Sequence, residues 1–370
     1  MRVLCSFVGG AGHLVPQLPL LQGLAEAGHD LSLVGRASGV TSAPAGLFQR
    51  ISARQDDRTR VTSEIAPLLP VNREAEVDVV AEYFAGDAAR QSADAVEKEL
   101  PWADVIVCDE LDFGAMGAGA RAGLPVVVVS VIASGALVRD ERISGALERL
   151  GVALGLAQQF PHRGNLFVVP FAPRMRDPKF PAPSDVAWMR PAEGKDPAPN
   201  GSVVATLGTE FNTESGDLFD RVLRALAGLN APTVVAVGRD LDPARFGRQP
   251  PHERVERYID LESLIPQASV VLHHGGSGLF MRSVLGGASQ IVFPMGADRP
   301  FTADRVDSLG IGRVLDPLSA TPDLIRDAVA ALRDDGTTRN NVLALRSDVL
   351  GLPDSTIVVR RVETLADNAR

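Results

Sequence analysis

Two stretches of this chain repeat one pattern: an apolar β-branched run, a glycine-bearing break, then a helical periodicity. In the first stretch residues 2–8 (RVLCSFV) read as a strand, 14–27 as a helix and 30–35 as a strand. Residues 104–109, a Gly/Ala-rich helix and a strand at 125–131 continue it. After Gly201 the alternation restarts with SVVATLG, a helix near 215–228, PTVVAVG, ASVVLHH, a helix from about 278, and QIVFP. Short runs apolar on both faces, alternating with helices, predict parallel sheets covered on both sides, which is a doubly wound α/β fold. Between the two stretches lie Pro161, Pro170, Pro173, Pro178, Pro181, Pro183, Pro191, Pro197 and Pro199. Proline at that density blocks helices and central strands, so the segment reads as a loop and linker region.

The expected architecture is two Rossmann-like domains facing each other across a cleft. The boundaries are 1–185 for the first domain, 186–200 for the linker and 201–352 for the second. A last helix at 353–370 is expected to pack back on the first domain. A length of 370 residues suits two cores. A formal charge of −9 disfavours non-specific nucleic-acid binding. Cys5 and Cys108 sit in strand-like runs and read as reduced, buried packing. The start MRVLCSFVGG lacks the apolar region and cleavage site of a signal peptide, and LPVVVVSVIASGALV is too short to span a bilayer. A cytoplasmic protein that binds no membrane is the expectation.

The chemistry concentrates where strands end in glycine. The first strand runs into VGGAGHLVPQLPLL, which places Gly9, Gly10 and Gly12 before His13 at the start of a helix. A dinucleotide fingerprint would need glycine at Val15, and Arg36 stands where an acid would hold a ribose, so an NADP-dependent oxidoreductase survives only as an alternative. The second stretch repeats the device in HHGGSG, His273 to Gly278. Backbone stripped of Cβ atoms at a helix N-terminus suits a phosphate or diphosphate. Thr206, Gly208 and Thr209 close another strand of the same half and could reach the same phosphates. Adjacent strand residues face opposite ways, so His274 is expected to meet the ligand and His273 to pack, with no metal between them. Asp240 and Asp242 superficially match a metal–diphosphate motif but lie in a polar loop. His29 reads as a cap on the first helix.

GGAGHLVPQLPLLQGLAEAGHDL followed by HHGGSG and FPMGAD resembles the family-one inverting glycosyltransferases of GT-B fold, in particular the actinobacterial group that decorates antibiotics and other natural products. The resemblance implies a hexosyl transfer from a TDP- or UDP-sugar, used as co-substrate with no other cofactor and no metal. The acceptor would be a small aromatic or polyketide-like molecule bound by the first domain. His13 would be the general base and Asp109 the acid orienting its imidazole. His274 with Gly275, Gly276, Ser277 and Gly278 would hold the diphosphate. Tyr258 would stack on the nucleobase, the Ile259 backbone would bond to it, and Asp298 with Arg299 would meet the sugar. Leu279 departs from the family's usual Thr or Ser, Arg282 from an acid on the ribose, and Arg299 from Gln. Those departures leave open weaker or redirected donor use, and with it a GT-B-fold partner protein lacking transfer activity. The sequence also leaves open a homodimer. Residues 36–72 read as a mobile connection lining the acceptor, and Val77, Val80, Tyr83 and Phe84 share one broad face of the helix that follows.

Overall fold

Strands buried on both faces pair in parallel and need helices above and below, and the chain builds two such sheets. A computed structural model of the chain describes residues 1–54, 64–208 and 212–369. It divides into two units: residues 1–54, 74–192 and 351–369 form the first, and 64–73 with 193–350 form the second.

The first unit holds β1 (Arg2–Ser6), β2 (Asp30–Arg36), β3 (Arg50–Arg54), β4 (Val105–Asp109), β5 (Val126–Val129), β6 (Leu166–Val169) and β7 (Ala187–Trp188). They lie in the order β3-β2-β1-β4-β5-β6-β7, every neighbour parallel. Ser6 pairs with Cys108, so β1 and β4 end side by side. The order reverses between them, and the crevice beyond strand C-termini at such a switch point is where ligands of open α/β sheets bind. The helix Ser355–Asn368 contributes Val358, Val359 and Val362 to the same core as Phe7, Leu33 and Val107. His29 closes its helix through the backbone, its N–H donating to the Leu24 carbonyl at 3.1 Å, and its side chain makes a further tie. Its Nδ1 lies 3.2 Å from the Met1 amino group and its Nε2 lies 2.9 Å from Glu363, tying the N-terminus to that last helix.

The second unit holds β8 (Ser202–Thr206), β9 (Thr233–Ala236), β10 (Glu253–Glu256), β11 (Ala268–His273), β12 (Ser289–Val292) and β13 (Gly312–Val314). Their order is β10-β9-β8-β11-β12-β13, again parallel throughout. Here the reversal falls between β8 and β11, where Thr206 pairs with His273. Residues 64–73 do not stay with the first unit as the sequence suggests. The Ala66 N–H donates to the Thr213 carbonyl at 2.6 Å, the Ala66 carbonyl accepts from Gly216 N–H at 3.0 Å, and Ile65 and Leu68 pack on the second core. Residues 55–63 of the expected mobile connection lie outside the described residues. Among the described residues no helix is long and apolar enough to cross a membrane.

Candidate active site

Beyond β1 the chain passes through Gly9 into the short helix Ala11–Leu14, which carries His13, and β4 ends on Asp109. The two switch-point strands therefore deliver one side chain each. His13 Nδ1 lies 3.2 Å from Asp109 Oδ1, with 21% of the histidine side chain exposed and none of the aspartate. Asp109 is fixed independently of His13. Its Oδ2 accepts from Val8 N–H at 2.9 Å and its Oδ1 from Leu111 N–H at 2.8 Å. Gln17, fully buried, donates to the carbonyls of Ser6 at 3.3 Å and His13 at 2.9 Å, and so clamps the short helix to the end of β1. Beneath, Asp112 accepts from Ser6 Oγ at 2.5 Å and caps the helix Phe113–Ala122. Burial first, and then the charge of Asp109, pushes the Asp112 carboxyl above its ordinary range. Gly9 earns its place through His13: a Cβ there would stand 2.1 Å from His13 Cδ2. The ring also has an aromatic neighbour, Phe84, with centroids 6.2 Å apart and planes 20° from parallel.

In the second unit β11 delivers the histidine pair. His273 is fully buried, bonded through Nε2 to Gln290 Oε1 at 2.9 Å, and its Nδ1 accepts the Gly275 N–H at 3.1 Å. Burial lowers its pKa to about 4, so the ring is neutral, with the Nε2 tautomer set by these two bonds. The Gly275 amide is thereby occupied, which corrects the expectation that it serves a phosphate. Amides at Gly276, Ser277 and Gly278 open the helix Ser277–Leu285, where the first turn has no intrahelical acceptor. His274 faces the other way and is 8% exposed. Its pKa is held well below the ordinary value by burial, then by the nearby Arg299 guanidinium and His273. A neutral imidazole can offer an anion one N–H but no charge.

The glycines beside His274 also serve the histidine more directly than the ligand. Gly208 has φ 82°, and a Cβ on it would stand 2.5 Å from His274 Cε1, while one on Gly276 would stand 2.6 Å from Nε2. Thr206 Oγ1 accepts the Gly208 N–H at 3.2 Å, fixing that turn. Ser277 Oγ donates to Asp298 Oδ2 at 2.6 Å. Asp298 follows Ala297, whose φ of 59° is the one positive value on a non-glycine among the described residues. Left-handed backbone on such a residue costs on the order of 1 kcal/mol and tends to persist where a site needs it. Arg299, 6% exposed, begins the helix Arg299–Ser308, and its Nη1 lies 3.4 Å from the Gly296 carbonyl. Leu279 is buried at 6% exposure.

Tyr258, just past β10, is 57% exposed, which removes core packing as its role. Ile259 packs on a small cluster with Ile265 and Val271. The ends of β10 and β11 are three strand spacings apart, about 14 Å. Thr209 lies outside the described residues. Asp240 pairs with Arg239 at 3.1 Å and Asp242 caps a turn through Ala244 N–H, so the two acids serve different local jobs. A cavity of about 590 Å³ in the first unit opens at the N-terminal ends of β5 and β6 among Gly123, Val126, Pro161 and Asn165. That is the opposite end of the strands from the switch point, where His13 and Asp109 stand. Sequence reasoning missed Gln17 and Gln290. Both are amides in buried stretches, and a buried amide signals a polar group that needs holding.

Residues 220–365 match the family described as erythromycin biosynthesis protein CIII-like, C-terminal domain. The 10-deoxymethynolide desosaminyltransferase of Streptomyces venezuelae is 30% identical over 149 residues, which are 40% of this chain and 35% of that protein. The elloramycin glycosyltransferase ElmGT of Streptomyces olivaceus is 26% identical over 98% of this chain and 97% of its own. The crystal structure of the glycosyltransferase VinC in complex with dTDP shares the fold with a TM-score of 0.76 over the whole of both chains, at 21% identity. Residues 220–365 are thus similar to that family, the chain as a whole is similar to antibiotic glycosyltransferases, and its two-sheet architecture is the GT-B fold.

Proposed function

We propose that the chain moves a sugar, a deoxysugar by family resemblance, from a TDP- or UDP-sugar to a hydroxyl of a small natural-product acceptor with inversion at the anomeric carbon. The observation that carries this reading is the His13–Asp109 contact at the first switch point, 3.2 Å between a part-exposed imidazole and a buried carboxylate. The Nε2 of His13 takes the proton of the acceptor hydroxyl as its oxygen bonds to the anomeric carbon. The bond from that carbon to the diphosphate oxygen breaks in the same step, and its electron pair leaves with the nucleoside diphosphate. Asp109 stabilises the imidazolium that forms. In the second unit the leaving diphosphate meets His274 N–H and the first-turn amides of the helix Ser277–Leu285, dipoles already aimed before charge develops. Tyr258 offers a face to the base, and the 14 Å scale between its strand and that of His274 suits a nucleoside diphosphate better than a lone phosphate. Asp298, held by Ser277, meets sugar hydroxyls. The dTDP bound to VinC supports thymidine diphosphate as the leaving group.

The test pairs binding with turnover. Wild-type protein is expected to melt at higher temperature with TDP present and to release TDP from a TDP-sugar when an acceptor is supplied. His13→Ala should lower transfer by about 10²–10⁴-fold, the usual share of a general base, with TDP affinity unchanged. Unaltered turnover in His13→Ala removes the base assignment, and failure to bind TDP or UDP favours the partner-protein alternative.

A further inference from the structure

Among the described residues two aromatic rings stand largely in solvent, and they are the chain's two tyrosines, Tyr83 at 48% and Tyr258 at 57% exposure. A nucleobase accounts for Tyr258, whereas nothing in the reaction described so far uses Tyr83. Its helix has a buried stripe, but Tyr83 is not on it: Val77 and Val80 are fully buried. From Val80 to Ala88 the backbone widens into a π-helix, which leaves helical dihedrals at Gly86. Such segments rotate side chains off the regular stripe and are frequent at functional sites. Tyr83 meets Phe84 edge to face, with centroids 5.2 Å apart and planes at 77°. Phe84 in turn lies within 20° of parallel to the His13 ring at 6.2 Å. An aromatic ledge thus begins in solvent and ends at the imidazole.

We propose that Tyr83 and Phe84 seat the acceptor, and that the seat selects a flat, unsaturated ring bearing the hydroxyl over a saturated alcohol. The proposal rests on His13 as the base. A ring lying parallel to Phe84 is also nearly parallel to the imidazole. Where such a ring also lies level with the imidazole, its in-plane hydroxyl points at the in-plane lone pair of the imidazole nitrogen, the alignment proton transfer needs. A saturated ring gains burial on the ledge but not the face and edge attraction between π systems.

Titration of the full chain with 1-hydroxyanthraquinone and with cyclododecanol, for wild type, Tyr83→Leu and Tyr83→Phe, tests the seat. Wild type should bind the anthraquinone more tightly than the alcohol. Tyr83→Leu, which keeps an apolar side chain and removes the ring, should weaken the anthraquinone about five- to tenfold, and Tyr83→Phe should restore it. TDP affinity should stay within about twofold in all three proteins, since Tyr83 belongs to the first unit. Equal anthraquinone affinity in wild type and Tyr83→Leu, or no preference over cyclododecanol, overturns the seat while TDP still binds. Loss of TDP binding by wild type overturns the transferase reading beneath it.

Discussion

Asp109→Asn isolates charge from shape at the centre of the proposed mechanism. Asparagine nearly matches aspartate in volume, so the fully buried position stays filled. What disappears is a negative charge 3.2 Å from His13 Nδ1. Opposite unit charges about 4 Å apart interact by about 4 kcal/mol at an effective dielectric near 20. In the transition state the imidazolium is partly formed, so about half of that, ~2 kcal/mol, bears on the rate. A second loss follows from tautomer choice. The asparagine amide can donate to Nδ1, which would place the imidazole proton on Nε2, where the base must be bare. Together these predict a fall of about 10²–10³-fold in kcat/KM for transfer. Asparagine has one acceptor oxygen for two backbone donors, Val8 and Leu111, so one buried N–H loses its partner. That costs about 1–3 kcal/mol of stability. Initial rates of TDP release should therefore be read well below the variant's melting temperature, with TDP affinity by calorimetry as the control on the second unit. A loss of less than fivefold, or a parallel fall in TDP affinity, refutes the orienting role.

Two further predictions concern the second unit. Glu253 is 5% exposed, and neither of its carboxylate oxygens has a hydrogen-bond partner among the described residues. Burial pushes its carboxyl up to about 7. Its folded pKa lies above the unfolded one, so the stability it contributes is complete below pH ~4.5 and is lost as pH rises through about 7. The residue is covered but lies on an edge strand where solvent screens it, so Glu253→Gln should stabilise the protein by on the order of 1–2 kcal/mol at pH 8 and little at pH 4. Urea melts at the two pH values check this, and identical pH dependence in both proteins would count against it. Gly208→Ala would set a Cβ 2.5 Å from His274 Cε1 on backbone at φ 82°. Displacing that ring should weaken TDP at least tenfold by calorimetry, and an unchanged affinity would show that His274 is not a diphosphate ligand.

The fold was legible because β-branched runs buried on both faces have few alternatives to a parallel sheet, and the proline-dense segment divides them visibly. His13, Asp109, Thr206 and His273 were readable as strand ends, but only the resemblance paired His13 with Asp109, since strand order depends on crossovers that composition does not encode. Glycine was read as a device for close approach of a ligand, and the structure adds a second group that needs the room. At Gly9, Gly208 and Gly276 it is a histidine of the same unit, and at Gly275 the amide is consumed by His273. One dimension of sequence cannot distinguish a ligand from a side chain brought in by the fold. The split of the broad helical face, with Val77 and Val80 inside and Tyr83 outside, was hidden because periodicity assumes 3.6 residues per turn throughout, and the π-helical segment breaks that assumption. Residues 64–73 were misplaced for a similar reason: their attachment rests on backbone bonds at Ala66, to which side-chain pattern is blind.

Each unit places a histidine at the switch point of its sheet, on opposite sides of the switch, and gives it opposite electrostatic company. His13 follows the first strand of its sheet, and Asp109 ends the strand across the switch. His274 follows the strand across the switch of the second sheet, and its charged neighbour is Arg299. A carboxylate favours an imidazole that gains a proton, and a guanidinium together with burial favours one that never does. Each side chain is thereby suited to one task, proton acceptance in the first unit and neutral hydrogen-bond donation to an anion in the second. Topology sets where the rings stand, and the sign of the adjacent charge sets what each can do. Removing those charges, with Asp109→Asn in one unit and Arg299→Gln in the other, should therefore harm different steps. The first should lower turnover with nucleotide binding intact. The second should raise the pKa of the His274 imidazole, measured by NMR titration, and leave that of His13 unchanged.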